Sequence, residues 1–228
     1  VMVPIEFVRF ITTLRELVLQ NRVTEQRIDD AVRRILRIKF ALGLFERRLS
    51  DRARLKQVGS AEHRALARRA VRESIVLLKK KDGALPLPKT GARILVAGSH
   101  ADDLGYQCGG WTISWQGGSG DLTTGNTILD GMKTAAPGAE IEYSLTGDFT
   151  GASAEYGVVI IGEQPYAEGR GDRKDLALSK SDVELVKKMK ARGCKVTVVL
   201  ITGRPVILEP ILHYADAIAA AWLPGTEG

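Results

Sequence analysis

The sequence predicts an α/β fold, an open and mostly parallel sheet preceded by a helical segment. Three observations carry that expectation. Four continuous apolar runs, Ile94–Gly98, Gly157–Gly162, Lys195–Ile201 and Ala217–Trp222, have the length and composition of strands buried on both faces, as in a parallel sheet. Helical patterns lie between them, near Thr127–Ala135, Ser181–Arg192 and Val206–Tyr214, and strand alternating with helix builds an open α/β layer. The first ninety residues, by contrast, repeat their apolar positions at helical spacing.

Taken in order, the first helix is expected over Glu6–Leu19, where Phe7, Phe10, Ile11, Leu14, Leu17 and Val18 share a face. Thr24 is a natural N-cap for the second, with Glu25 in its first turn against the helix dipole. Ile28, Ala31, Val32, Ile35, Ile38 and Phe40 continue the rhythm, and Gly43 stops it. Ser60 caps a third helix, which the spacing of Ala65, Leu66, Ala70, Val71, Ile75 and Leu78 carries to Leu78. Gly83-Ala84-Leu85-Pro86-Leu87-Pro88 then reads as an extended linker. The alternating half follows. In an open sheet, ligands meet the loops beyond the carboxyl ends of the strands, which directs attention to Ser99–Gly120, Glu163–Arg173 and Thr202–Pro205.

Composition excludes several classes. The hydrophobic share is 44% and the charged share 26%, ordinary globular values that leave no room for a disordered, collagenous or disulfide-scaffold chain. No apolar run approaches the roughly 18–20 residues of a membrane span. The net charge of +6 is unevenly spread: residues 1–90 carry 21 Lys and Arg against 10 Asp and Glu, while residues 91–228 carry 12 against 17. A basic half suits nucleic acid, although a solvated helix surface is the commoner cause. Cys108 and Cys194 have no metal-ligand spacing, and Cys194 reads as a buried free thiol. Val1-Met2-Val3-Pro4 shows no charged-then-apolar leader. The pattern starts abruptly and stops just after a strand-like run, so both ends are expected to be cut.

Two loops could carry chemistry. The run Gly162–Arg173 packs Glu163, Glu168, Asp172, Arg170, Arg173, Tyr166 and three glycines into twelve residues. Carboxylates there suit general acid–base work, while composition alone more often describes an acidic turn paired with its own arginines. In the other loop, Trp111 and Trp115 lie in the stretch Gly109–Gly118, where glycine pairs argue against a helix burying both rings. An indole face stacks on a sugar or a base, and glycine lets backbone approach closely. Gly98-Ser99-His100 follows a strand, but Asp103 and Leu104 stand where a dinucleotide fingerprint needs glycine. His63 and His213 read as structural.

Ala101–Thr112 with Trp115-Gln116-Gly117, Gly162-Glu163-Gln164-Pro165-Tyr166, Gly203-Arg204-Pro205 and Trp222-Leu223-Pro224-Gly225 together resemble glycoside hydrolase family 3, in its exo-acting β-glucan glucohydrolase and β-glucosidase branch. Arg27–Leu36 and Gly43-Leu44-Phe45-Glu46 are similar to the same family. The resemblance implies a barrel of (β/α)8 type followed by an α/β sandwich, with the active site between them. Residues 1–45 would then be the last barrel helices, 46–90 a helical linker and 91–228 the first part of the sandwich. It implies Glu168 as acid/base, Trp115 as the aromatic clamp on the sugar and Trp111 in the same wall. Glu163 and Arg173 would be supports, with Arg173 paired to Asp172. The nucleophile Asp would lie upstream of Val1, so none is expected in this chain, nor is a metal or cofactor. The implied partners are β-glucan oligosaccharides or β-glucosides and the barrel, with no nucleic acid and no membrane, in a secreted or periplasmic setting. A nucleotide- or nucleic-acid-binding module is the alternative.

Overall fold

The computed structural model describes residues 2–47, 49–81, 83–151 and 153–228. They fall into two compact units, Val1–Val58 and Gly59–Gly228.

The first unit holds α1 (Phe7–Leu19) and α2 (Glu25–Ala41). The Thr24 hydroxyl accepts the Arg27 N–H at 3.3 Å, as a threonine N-cap should. At the far end Gly43 takes φ +64°, the Gly43 N–H reaches the Phe40 carbonyl and the Leu44 N–H reaches that of Lys39. These two bonds are a Schellman stop, which satisfies carbonyls the helix leaves open. Arg33 and Arg34 pair with Asp29 and Asp30 one turn back, at 3.1 and 3.0 Å. Much of the basic charge on this helix is thus a solvated, self-paired face. Neither helix buries a residue, and Phe7, Ile11, Ile35, Ile38 and Phe40 are all exposed.

The second unit opens with α3 (Ala61–Ser74), capped by Ser60. The helix ends four residues short of the expected Leu78. Val76–Lys80 is instead a strand, β1, antiparallel to the last strand. Ile75 and Leu78 fit a helical stripe, but pairing with a ready sheet edge satisfies this backbone at a position where helix would leave carbonyls open. The remaining elements are β2 (Thr90–Ala97), α4 (Leu104–Cys108), α5 (Ile128–Ala135), β3 (Gly138–Ser144), β4 (Tyr156–Gly162), α6 (Lys180–Ala191), β5 (Lys195–Ile201), α7 (Glu209–Leu212) and β6 (Ala217–Trp222). All four apolar runs are strands. β3, with Ile141 and Tyr143 alternating against Glu140 and Glu142, joins them as an edge.

The sheet runs in the order β1-β6-β5-β4-β2-β3 and is parallel except for β1. Ala97, Val159, Val198 and Ile218 sit abreast on four strands and face Val186 and Met189 of α6 and Ile211 of α7. Ile94, Val96, Val158 and Ile160 face the other way, against Leu129 of α5. Burying both faces is what makes the runs continuous rather than alternating.

Chain direction across the sheet reverses at β2, which has β3 on one side and β4 on the other. Such a switch point opens a crevice at the strands' carboxyl ends, because the following loops diverge there. Gly98, the first residue after β2, takes φ +110°, and a Cβ on it would lie 2.1 Å from the Ile160 carbonyl oxygen. Only glycine lets the chain turn out of the sheet this close to β4.

Candidate active site

Two loops meet at the switch point: the one after β2, carrying both tryptophans, and the one after β4, carrying the carboxylates. Asp103 organises the first. One of its oxygens caps α4 at the Tyr106 N–H, 2.8 Å away. The other accepts from the Ser119 hydroxyl and the Gly120 N–H, both at 2.9 Å. One buried carboxylate therefore closes a sixteen-residue excursion. Gln107, fully buried beneath it, donates to the Asn126 and Gly225 carbonyls and accepts the Ile128 N–H. This ties α4 to the last 3-10 turn, Gly225–Glu227.

The tip of that loop is held against its own preferences. Trp111 and Ile113 both adopt left-handed backbone, φ +62° and +63°. For side chains of this size that conformation costs on the order of 1–3 kcal/mol each and persists only where neighbours impose it. Here the neighbours are backbone bonds from Trp111 N–H to the Trp115 carbonyl and from Gly117 N–H to that of Ser114. The result puts two exposed indoles side by side, ring centres 6.4 Å apart and tilted by 52°.

Both indoles address Glu168. Trp111 Nε1 donates to Glu168 Oε2 at 3.2 Å. Glu168's own backbone N–H and the Trp115 and Trp111 indoles hold this exposed carboxyl below the usual glutamate range, with desolvation opposing them. Gly110 brings the loops together: a Cβ there would sit 2.0 Å from the Tyr166 carbonyl oxygen. Behind that contact the Gln116 side chain receives the Ala167 N–H at 3.0 Å and donates to the Glu168 carbonyl at 3.3 Å.

Glu163 does different work at the base of the same loop. Its N–H continues the β4–β5 ladder to the Ile201 carbonyl, and its nearly buried carboxylate meets Arg204 at 3.2 Å and Arg173 at 3.7 Å. Arg204 also donates to the Tyr166 hydroxyl and stacks on its ring, 3.9 Å from the centroid. Burial outweighs the opposing Arg204 hydrogen bond and leaves that phenol above its ordinary pKa. Arg173, expected to pair with Asp172, reaches Glu163 and the carbonyls of Asp175 and Ala177 instead, so its guanidinium is taken up by the base of the loop and the turn that follows. His100, buried and stacked on Tyr106, donates from Nε2 to the Glu163 carbonyl and accepts at Nδ1 from Ser99. The Glu163 carbonyl can only accept, which places a proton on Nε2, and burial lowers the ring's pKa against that bond, favouring the neutral form with Nδ1 as the acceptor. A cleft of about 880 Å3 opens beside this cluster, lined by Ser99, His100, Glu163, Arg173 and Asp182. It does not include Glu168 or the tryptophans.

The structure thus brings Trp111, Trp115 and Glu168 into one group and Glu163 with Arg173 into another. Sequence reasoning missed Gln116, Asp103, Arg204 and His100 as the braces between them. Gln116 left one signal, an amide next to Trp115 in a loop of glycines. The others brace the loops through partners 16 to 63 residues away, Ser119 for Asp103, Tyr166 for Arg204 and Glu163 for His100, beside the local bonds of Asp103 to Tyr106 and of His100 to Ser99. Among the described residues, no group of three or more His, Cys, Asp and Glu is placed to hold a metal ion.

Residues 75–228 match the Glycosyl hydrolase family 3 C-terminal domain. A lysosomal beta glucosidase of Dictyostelium discoideum is 34% identical over 250 residues, covering 100% of this chain and 30% of that protein. A periplasmic beta-glucosidase of Salmonella typhimurium is 29% identical, covering 93% of this chain and 32% of that one. Among solved structures, an exo-1,3/1,4-beta-glucanase from a Pseudoalteromonas species superposes with a TM-score of 0.89 at 38% identity, covering 99% of this chain and 29% of that one. The chain therefore spans about a third of the length of the relatives it matches.

Proposed function

The chain belongs to glycoside hydrolase family 3, and on that premise we propose that it is the acid/base-bearing segment of a retaining, exo-acting β-glucosidase or β-glucan glucohydrolase. The observation that carries the reading is the Trp111–Glu168 bond with Trp115 alongside, a carboxyl group and an aromatic platform on one projecting edge. The relatives' names, β-glucosidases and a β-glucanase, support β-glucosides or β-glucan ends as substrate rather than a nucleotide or nucleic acid. In this assignment residues 1–45 are the last helices of a barrel, 46–90 a linker that lends β1 to the sheet edge, and 91–228 the sandwich. The nucleophile comes from the barrel, outside this chain. No cofactor or metal enters the reading. A secreted or periplasmic location is supported by the relative named for the periplasm, while another relative is named for the lysosome, and no described helix is long and apolar enough to cross a membrane.

The chemistry follows from two carboxyl groups roughly 5–5.5 Å apart. Glu168 protonates the leaving oxygen while the nucleophile forms a glycosyl-enzyme, then takes a proton from the water that releases glucose. The indole N–H groups favour the carboxylate, the form required in the second half. Donating a proton in the first half needs a higher pKa, which desolvation and the nucleophile's negative charge provide when the barrel faces the loop. Trp115 stacks on the sugar beyond the scissile bond. Glu163, Arg173 and Arg204 anchor the loop without touching substrate.

The test separates the two glutamates in the enzyme that carries this segment with its barrel. Glu168→Ala should cripple hydrolysis of alkyl glucosides yet still be glycosylated by a glucoside of an acidic phenol, and azide should then restore turnover as β-glucosyl azide. Glu163→Ala should show no azide rescue. Rescue of Glu163→Ala alone would place the proton on the wrong residue.

A further inference from the structure

The geometry points to Gln116 as the positioning residue of the acid/base group, an inference that rests on reading Glu168 as that group. The Glu168 side chain stands exposed, and Gly169 directly after it takes φ +82°. Such a segment has little local stiffness of its own. What fixes it comes from the neighbouring loop. The Ala167 N–H can only donate, so Gln116 must present Oε1 to it; the Glu168 carbonyl can only accept, so Nε2 must face that side. The amide orientation is therefore dictated by its two partners. Only a neutral amide of this length offers both functions, as a carboxylate lacks the donor and an ammonium lacks the acceptor.

Gln116 is itself held. It sits between the Trp115 carbonyl, which accepts from the Trp111 N–H, and Gly117, whose N–H and carbonyl both bond to Ser114. Glu168 is consequently gripped at its backbone by Gln116 and at its carboxylate by the indoles, all from one loop. Because Trp115 and Gln116 are adjacent in the chain, the sugar platform and the proton donor share one support. Gln116 touches no substrate. It sets where the Glu168 carboxyl stands relative to the leaving oxygen, and that distance matters most when the leaving group needs its proton.

The experiment measures kcat and KM for a series of glucosides, from alkyl to dinitrophenyl, in the barrel-bearing enzyme and its Gln116→Met and Gln116→Glu variants, with Glu168→Ala and azide alongside. Gln116→Met keeps length and loses both bonds; it should lower kcat about 10–100-fold on alkyl glucosides, the scale of an ångström's misplacement. Dinitrophenyl glucoside should lose less than about 3-fold, and KM should hold, since little protonation and no binding contact is involved. Gln116→Glu keeps the acceptor and should fall between Met and wild type. Equal losses across all leaving groups, or none in either variant while Glu168→Ala still shows azide rescue, would overturn the role of Gln116 and leave Glu168 standing. A Glu168→Ala enzyme with no rescue and no leaving-group dependence would instead overturn the acid/base reading beneath it.

Discussion

Gly110→Ala is the smallest change that should pull the two loops apart. An alanine Cβ at 110 would lie 2.0 Å from the Tyr166 carbonyl oxygen, 2.7 Å from its carbon and 3.2 Å from the Ala167 nitrogen, all backbone atoms. Side-chain carbons essentially never approach closer than 3.0 Å, so the loops must separate by at least about 1 Å. A displacement of that size would lengthen the 3.0 Å bond from Ala167 to Gln116 beyond bonding reach. Overpacking of this kind costs roughly 1–3 kcal/mol, and in a domain of this size each kilocalorie lowers Tm by roughly 2–4 °C. The displaced Glu168 should lose about 100-fold in kcat on alkyl glucosides in the barrel-bearing enzyme. In the chain alone, the Trp111 indole N–H resonance should stop responding to Glu168 ionisation. Scanning calorimetry, leaving-group kinetics and an indole NMR titration read the three effects. Wild-type kinetics with an intact indole titration would show that the loops do not depend on this contact.

In the chain without the barrel, the carbon-detected titration of the Glu168 carboxyl should have its midpoint below the ordinary glutamate value of about 4.3, and Trp111→Phe should raise it. A depressed folded pKa means the indole-bound loop is favoured above the unfolded value and loses that preference as pH falls through the folded one, so a midpoint at or above about 4.3 counts against the indole contacts. Trp115→Ala should weaken catalysis by stacking worth on the order of 1–3 kcal/mol, more for disaccharides than for activated aryl glucosides; equal losses accompanied by a fall in Tm would mark it as a packing residue. Glu227→Gln should lower Tm, because its buried carboxylate pairs with Arg64 and with Arg68, the latter at 2.6 Å, and no neutral amide repeats both contacts. Hydrogen bonds to charged groups are worth about 1.5–3 kcal/mol, so a Tm unchanged in calorimetry would show that the pairs are idle.

Strands buried on both faces were legible because their neighbours left no room for polar side chains: Val158–Ile161 admits none. The caps at Thr24 and Ser60 were legible because each bonds to a backbone N–H only three residues on. β1 was not, since Ile75 and Leu78 satisfy a helical stripe as well as a strand, and the deciding partner, β6, lies some 140 residues on. β3 carried an alternating signal that a single-face edge strand makes weak. In the site, Glu168, Trp111 and Trp115 stood out by composition, as a carboxylate and indoles in glycine-rich loops after strands, while their separate roles came from the family resemblance. Asp103 carries a local cap signal to Tyr106, three residues on, but its bonds to Ser119 and Gly120, like those of Gln116 to the Glu168 loop and of Arg204 to Tyr166, join residues distant in the chain, and no local spacing encodes those.

The reversal of strand order at β2 bears on how such a segment can diversify. The indoles ride on an excursion launched from one strand, the carboxyl group on an excursion launched from its neighbour, and the two touch only above the sheet. Residues added beyond Ile113 or beyond Gly169 would lengthen one arm without disturbing the hydrogen-bond ladder or either buried face. Selection can thus reshape the wall that the proposed function turns toward an aglycone while the scaffold beneath stays fixed, provided the contact of Gly110 with Tyr166 and the amide of Gln116 are kept as the hinge pin between the arms.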